Sequence, residues 1–335
     1  MLEILSRSEM QNLLDAWGFR AVKVEHVSDV YKVYAENGIY CLKCPEKADS
    51  LRFFTPRLMT HLENMGFMEC PRLFHTLDGR AYVLKGDHPY YVTNWVNGKK
   101  PGLKHRTDLK KIGATLAKFH LAARHIPTYP EDGKFFKYGK MIGHIDAGVK
   151  KMDEWVNKPI LTDSAHFSSF RTYYPAVRHL MVKAKEILEK SAYDMLSIQA
   201  NRRREIAHGD AAARNFLIDR HQPAILIDFD SCSYDLQLAD LAQLLRRVNK
   251  KSGFKIEPVK SILNAYRNVN PLSREELGVL YGYLFYPRKF YLMARRYFRN
   301  TAGYSLSYFA REIKRESRGL YKMEPFLESF RMEYL

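Results

Sequence analysis

The sequence predicts an α+β chain in two parts: a small strand-rich part over residues 1–96 and a large, mostly helical part over residues 97–335. Three observations carry this. Before residue 96, short runs rich in Val, Ile and Tyr alternate with turn residues. After it, apolar residues recur at three- and four-residue steps. Between the two, Asn97-Gly98-Lys99-Lys100-Pro101-Gly102 breaks both patterns.

In the first part, Ser8–Trp17 carries Met10, Leu13, Leu14 and Trp17 at helical spacing, with Ser8 expected as N-cap. Val22–Val27, Val30–Ala35 and Ile39–Cys44 read as strands, the last two joined by an Asn37-Gly38 turn. Alternation along the third strand puts Ile39, Cys41 and Lys43 on one face and Tyr40, Leu42 and Cys44 on the other. Leu51–Met65 reads as a helix with Phe54, Leu58 and Leu62 as its stripe. Pro56 fits only in a first turn, so the regular part is expected to start near Thr55. Phe67–Leu73 is a loop, Leu77–Arg80 a turn, and Tyr90–Trp95 a strand leading into the break.

In the second part, Thr107 is the expected cap of a helix that turns Leu109, Ile112, Leu116 and Phe119 inward. Tyr129–Gly143 reads as an irregular loop. Further helices are expected over Tyr173–Leu188, from Leu238 through Val248, and over Ser261–Tyr266, Leu277–Phe285 and Phe290–Phe298. No internal repeat or low-complexity tract interrupts them.

Composition narrows the class. The chain has 335 residues, is 46% hydrophobic and 13% aromatic, and so is globular rather than disordered. No signal peptide and no membrane span is expected, because no apolar run approaches ~18 residues. Four cysteines fit a reducing compartment without a disulfide framework. A net charge of +17 is spread over Lys99–Lys158, Arg202–Arg204 and Arg288–Arg318. Such a field admits an anionic partner, whether nucleotide, phosphorylated or sugar-acid substrate, or polymer. Without a base-reading module, nucleic acid is not the expected partner, and Arg202–Arg204 reads as a solvated cluster.

The most informative stretch is Ile206–Asp230. Phe216–Ile218 and Ala224–Ile227 flank a polar turn at Arg220–Pro223 and form a short hairpin. Asp210 and Asn215 precede its first strand and Asp228 follows its second, so the fold-back brings the three to one end. Phosphoryl transfer needs such a set: one carboxylate to deprotonate the attacking hydroxyl, and an amide oxygen with a second carboxylate to hold Mg²⁺ on nucleotide phosphates. Spacing and strand context agree in His208-x-Asp210-x-x-x-x-Asn215 followed by a strand ending in Asp228.

Other residues stand near this set. His208 has either an acid–base role or a loop-bracing one. Arg214 precedes Asn215 and is expected to brace Asp210 or to bind an anionic acceptor. Asp230 shares a face with Asp228 and assists it or faces solvent. Asp240, at the start of the next helix, reads as structural and as an anchor for the loop backbone. Lys43 lies near the end of the third strand. Ser28, in the turn Val27–Val30, offers a donor where a phosphate would pass, although the turn has no glycine and Asp29 has the wrong charge. Backbone at Asn94, Trp95 and Val96 stands where an adenine edge would be read, and Trp95 itself reads as packing. Cys41 and Cys44 have zinc-like spacing but no second pair, so they read as packing residues.

His208-Gly209-Asp210 with Asn215, together with Ile227-Asp228-Phe229-Asp230, resembles the aminoglycoside and choline phosphotransferase branch of the protein-kinase-like fold. Within that branch the chain resembles the CotS-type spore-coat family. The flanking matches are Tyr40–Lys43, Asn94–Gly98, Leu116–His120, Ser233–Leu241 and Leu284–Pro287. The resemblance implies a bilobal fold with ATP between the lobes and Lys43 on its phosphates. It implies Asp210 as base, Asn215 and Asp228 on Mg²⁺, and residence in the mother-cell cytoplasm and then the spore coat beside other coat proteins. The acceptor is a small molecule or sugar that neither the motif nor the resemblance identifies. The chain departs from active relatives in three places. Leu51–Leu62 holds no acid to pair with Lys43, the phosphate turn lacks glycine, and Ala-Ala-Ala-Arg fills the gap between Asp210 and Asn215. These departures leave open a second reading, a structural coat component that keeps the fold with little catalysis.

Overall fold

Helix α1 (Arg7–Leu14) starts from Ser6, whose hydroxyl accepts the Glu9 N–H at 3.3 Å while Glu9 accepts the Ser6 N–H at 2.9 Å. This reciprocal pair satisfies two of the donors a helix start leaves open. Ser8 therefore lies inside the helix and is not its cap. Gln11, three residues beyond Ser8, is instead engaged by Asp15 and the Phe19 carbonyl. The computed structural model describes residues 5–44, 54–157, 165–219, 221–299, 306–317 and 319–335.

The strands are β1 (Ala21–Val27), β2 (Val30–Ala35), β3 (Gly38–Lys43), β4 (Leu73–Phe74), β5 (Val83–Lys85) and β6 (His88–Asn94). They form one antiparallel sheet in the order β1-β2-β3-β6-β4, with β5 also on β6. Ala35 pairs with Gly38, so the turn falls at Glu36-Asn37, one residue earlier than expected, and Gly38 opens β3. The β3–β6 register sets Lys43 opposite Tyr91 and Tyr40 opposite Asn94. Tyr40 and Leu42 pack with Leu14, Trp17, Phe19 and Val92 in the sheet's own core. Alternation then leaves Cys41 and Lys43 on the opposite face.

Helix α2 (Thr55–Asn64) begins where Pro56 allows. Positions 51–53 of the expected Leu51–Met65 helix lie outside the described residues. Phe54, Leu58 and Leu62 join the larger core, together with Ile112, Phe119 and Phe229, rather than the sheet's core. Polar contacts fasten the same helix. Arg57 pairs with the fully buried Asp132, which also accepts the Tyr234 hydroxyl at 3.1 Å. The His61 ring meets the Arg124 carbonyl at 2.8 Å.

The larger part opens with α3 (Arg106–Ala122), entered from His105 without a side-chain cap. Thr107 lies within the helix. Asp108 there accepts the Gly102 N–H at 2.8 Å, so it ties down the incoming chain. The expected loop over Tyr129–Gly143 contains a 3₁₀ turn, Pro130–Phe135, and ends where α4 (Met141–Val156) begins. Then come α5 (Ala165–Lys190), which absorbs Tyr173–Leu188, and α6 (Tyr193–Arg203). Two short antiparallel pairs follow: β7 (Ile206–Ala207) with β10 (Ser233–Tyr234), and β8 (Phe216–Leu217) with β9 (Ile225–Leu226). Among the described residues the chain closes with α7 (Leu238–Lys251), α8 (Ile256–Arg267), α9 (Arg274–Phe285), α10 (Arg288–Arg299), α11 (Leu306–Ser317) and α12 (Leu320–Tyr334). Among the described residues no helix is long and apolar enough to cross a membrane.

Candidate active site

The loop from β7 to β8 passes over Ser231 so closely that a Cβ on Gly209 would lie 2.2 Å from the Ser231 carbonyl oxygen, and Gly209 has φ +77°. Only glycine fits there. Asp240, fully buried in the first turn of α7, accepts the His208 N–H at 2.5 Å and the Gly209 N–H at 2.9 Å, and meets His120 Nε2 at 3.1 Å. Burial raises the Asp240 carboxyl, but the His120 hydrogen bond and the His208 backbone outweigh it and hold it below the usual range. The His208 ring is also fully buried. Its Nε2 lies 3.1 Å from the Ile227 carbonyl, and Phe119 and Phe229 pack around it. The contact expected of a loop-bracing ring is therefore formed.

Asp210 stands at the loop's open side with four donors on its carboxylate. Asn215 Nδ2 donates to Oδ2 at 3.0 Å and Gln243 Nε2 to Oδ1 at 2.9 Å. Arg214 pairs with Oδ2, and Arg247 reaches Oδ1 at 3.3 Å. The contact expected of Arg214 as a brace on Asp210 is thus formed. Gln243 and Arg247 escape a motif reading because they come from α7, beyond the loop. Their signal is a polar pair one turn apart, beside the apolar stripe that includes Leu244 and Val248.

The hairpin forms in the expected register, Phe216 opposite Leu226 and Leu217 opposite Ile225. Position 220 of its turn lies outside the described residues. Asp228 leaves the hairpin in a left-handed conformation, φ 71° and ψ 72°, which is uncommon for a residue with a side chain and clusters at functional sites. This turns its carboxylate toward the sheet. Lys43, buried at the end of β3, pairs with Asp228 and lies 2.8 Å from Asp230 Oδ2. Asp230 is not in solvent: the buried Tyr91 hydroxyl donates to it at 3.2 Å. Burial opposes the Asp228 charge, but Lys43 overcomes it, so Asp228 titrates below the usual range. The deeper Asp230 is pushed up by burial more than Lys43 draws it down. Tyr91 is visible only once strand register is known, because its signal is being opposite Lys43 on β6.

The remaining expected residues belong to the sheet and to the segment that leaves it. Ser28 sits exposed in a two-residue turn, Ser28-Asp29, with φ 60°. The Asn94 N–H donates to the Arg72 carbonyl at 3.2 Å and the Trp95 N–H to the Ile39 carbonyl at 3.0 Å. Lys32 lies over the half-buried Trp95 ring at 4.7 Å. Val96 leads on to Gly98, where a Cβ would meet Leu217 Cβ at 2.9 Å. That absence lets Lys99 and Ile218 exchange both backbone hydrogen bonds, at 3.0 and 2.7 Å, and stitches the break to the hairpin. The described part of α2 has no acid before Glu63, and Glu63 is exposed. Cys41 and Cys44 are free thiols. Among the described residues no three His, Cys, Asp or Glu side chains gather as a metal cluster.

A sheet facing a helical body, with Lys43 set against Asp228 and with Asp210 and Asn215 beside it, is an arrangement that can be compared with known proteins. Residues 19–277 match the model of the phosphotransferase enzyme family called APH. The chain belongs to that family. The family's chemistry is transfer of a phosphoryl group. Spore coat protein S of Bacillus subtilis is 22% identical over 280 residues, which cover 80% of this chain and 77% of that one. A homoserine kinase of Rhodopseudomonas palustris is 24% identical over 288 residues, 84% of this chain and 78% of that one. An aminoglycoside phosphotransferase from Alicyclobacillus acidocaldarius superposes with a TM-score of 0.79 at 18% identity, covering 100% of this chain and 97% of that one. A spectinomycin phosphotransferase solved with ADP and spectinomycin gives 0.68 at 14% identity, covering 96% and 99%. These likenesses establish the bilobal kinase-like α+β fold.

Proposed function

We propose that this phosphotransferase uses ATP and Mg²⁺ to phosphorylate a hydroxyl group of a small molecule or sugar. The observation that carries the reading is that Asn215 donates to Asp210 while its carbonyl accepts the Ile227 N–H at 2.9 Å, next to Asp228, which pairs with Lys43. Asp210 takes the proton of the acceptor hydroxyl. The hydroxyl oxygen bonds to the γ-phosphorus, and the bond from that phosphorus to the β–γ bridging oxygen breaks with its electrons on ADP. Asn215 gives its amide hydrogens to Asp210, which leaves its oxygen for a cation, and Asp228 supplies a carboxylate. Hard oxygen donors, few in number, suit Mg²⁺, which keeps waters and phosphate oxygens as its other ligands. When bound, the ion neutralises charge on the phosphates.

Lys43 binds the α- and β-phosphates, and Asp230 with Tyr91 holds it where α2 has no acid to do so. Ser28 lends a donor to the phosphates from its turn. Because the Asn94 and Trp95 N–H groups are engaged within the sheet, adenine is read by backbone from Trp95 onward, at Val96. The split between residues 96 and 97 is the hinge. Residence in the spore coat, after synthesis in the mother-cell cytoplasm, rests on the resemblance and on the relationship to spore coat protein S. The glycine-free two-residue turn favours a second reading, a coat protein with weak catalysis. Calorimetric titration with ATP, with and without Mg²⁺, separates the two. Mg²⁺-dependent binding that Asp228→Ala abolishes, together with turnover, supports the enzyme. Absence of any nucleotide binding supports the structural protein.

A further inference from the structure

Two arginines from different elements converge on the base. Arg214 comes from the loop and Arg247 from α7, and each holds one oxygen of Asp210. Neither is sequestered: their side chains are 54% and 34% exposed, whereas that of Asp210 is 17% exposed. Burial lowers the Arg247 guanidinium, Asp210 and Glu316 support it, and Arg214 and Arg288 oppose it, so three arginines share this region. The nearby Glu316 is already engaged by Lys250 at 2.8 Å and Lys289 at 2.6 Å. Asp210 alone does not neutralise its neighbours. An amino sugar, carrying positive charge, would enter against this field, whereas an anion would enter with it.

We propose that Arg214 and Arg247 recognise a carboxylate or phosphate group on the acceptor, so that the substrate is an anionic alcohol such as a sugar acid or sugar phosphate. The proposal rests on Asp210 being the base. The planar fork of arginine matches both anions with paired hydrogen bonds. In this structure the Asp210 carboxylate occupies the two guanidinium groups. The acceptor's anion takes them over and leaves an Asp210 oxygen free for the hydroxyl proton. The proton then passes to Asp210 as the hydroxyl oxygen bonds to the γ-phosphorus and ADP departs.

The test uses the full chain with Mg²⁺ and ATP and four acceptors of similar size: glucose, glucosamine, gluconate and glucose 6-phosphate. The last two differ in their anion, so they also tell carboxylate from phosphate. At least one anionic acceptor is expected to show a KM about tenfold or more below that of glucose. Arg247→Gln and, independently, the more exposed Arg214→Gln should raise that KM more than they lower kcat and erase the preference. Arg247→Lys should restore part of it. Preference for glucose or glucosamine overturns the proposal and leaves the phosphotransferase reading standing. A second arm needs no turnover: ¹⁵N-arginine signals of Arg214 and Arg247 are followed during titration with gluconate and with inorganic phosphate. Saturable shifts of both signals support an anion site even if ATP fails to bind, which would sink only the kinase reading. Unmoved signals overturn the anion site.

Discussion

Lys43 Nζ lies 2.8 Å from Asp230 Oδ2, and the buried Tyr91 hydroxyl donates to the other Asp230 oxygen at 3.2 Å. Asp230, braced by Tyr91 of β6, thus holds the lysine together with Asp228, without help from the described part of α2. Asp230→Asn should weaken nucleotide binding about tenfold, or ~1.4 kcal/mol, by calorimetric titration. Tyr91→Phe should shift it less and in the same direction, and the double variant should fall short of the sum because the two act through one contact. Glu63→Gln should stay within about twofold. A large loss from Glu63→Gln with none from Asp230→Asn would reassign the anchor.

Gly209, the one glycine of the loop, should not be replaceable. An alanine methyl there meets the Ser231 carbonyl, and the left-handed φ adds strain of about 1–3 kcal/mol. Gly209→Ala is expected to lower the urea midpoint and the transfer rate together. Unchanged stability would mean that the loop does not pass Ser231 as described.

Asp235 gives a pH dependence. Burial is the main cause that pushes its carboxyl up to about 7, against the Leu236 N–H and Lys137, with Asp240 adding to the rise and Arg288 opposing it. The folded state therefore binds this proton more tightly than the unfolded chain does. The group's stabilising contribution is complete below the unfolded value near 4 and is lost as pH rises toward about 7. Asp235→Asn should raise the melting temperature at pH 8 more than at pH 5. An equal shift at both would remove the titration from the account.

The loop that carries Asp210 and Asn215, and the hairpin after it, were legible because their residues lie within one stretch whose spacing and turn fix the fold-back. His208 illustrates the limit. The motif places it beside Asp210, but only the packing of Phe119, Phe229 and the Ile227 carbonyl decides that its ring braces the loop. Arg247, Gln243 and Tyr91 were not legible, because each reaches the site across a tertiary contact that local pattern does not encode. Helix α4 escaped because Gly143 and Gly148 weaken its pattern, although Gly148 is where Met181 packs closely against it. The Ser8 cap failed because Glu9 selects Ser6 as its reciprocal partner, and the Thr107 cap because α3 starts from His105 with no side-chain cap.

The central claim is that Asp210 is the base of a phosphoryl transfer, and the most direct measurement compares wild type with Asp210→Asn. The amide keeps the size of the side chain and one acceptor oxygen but cannot take the hydroxyl proton. Under saturating Mg²⁺ and ATP with the best acceptor found, transfer should fall ~10²–10⁴-fold, while nucleotide affinity changes little. Transfer at the wild-type rate by the correctly folded Asp210→Asn protein would contradict the account.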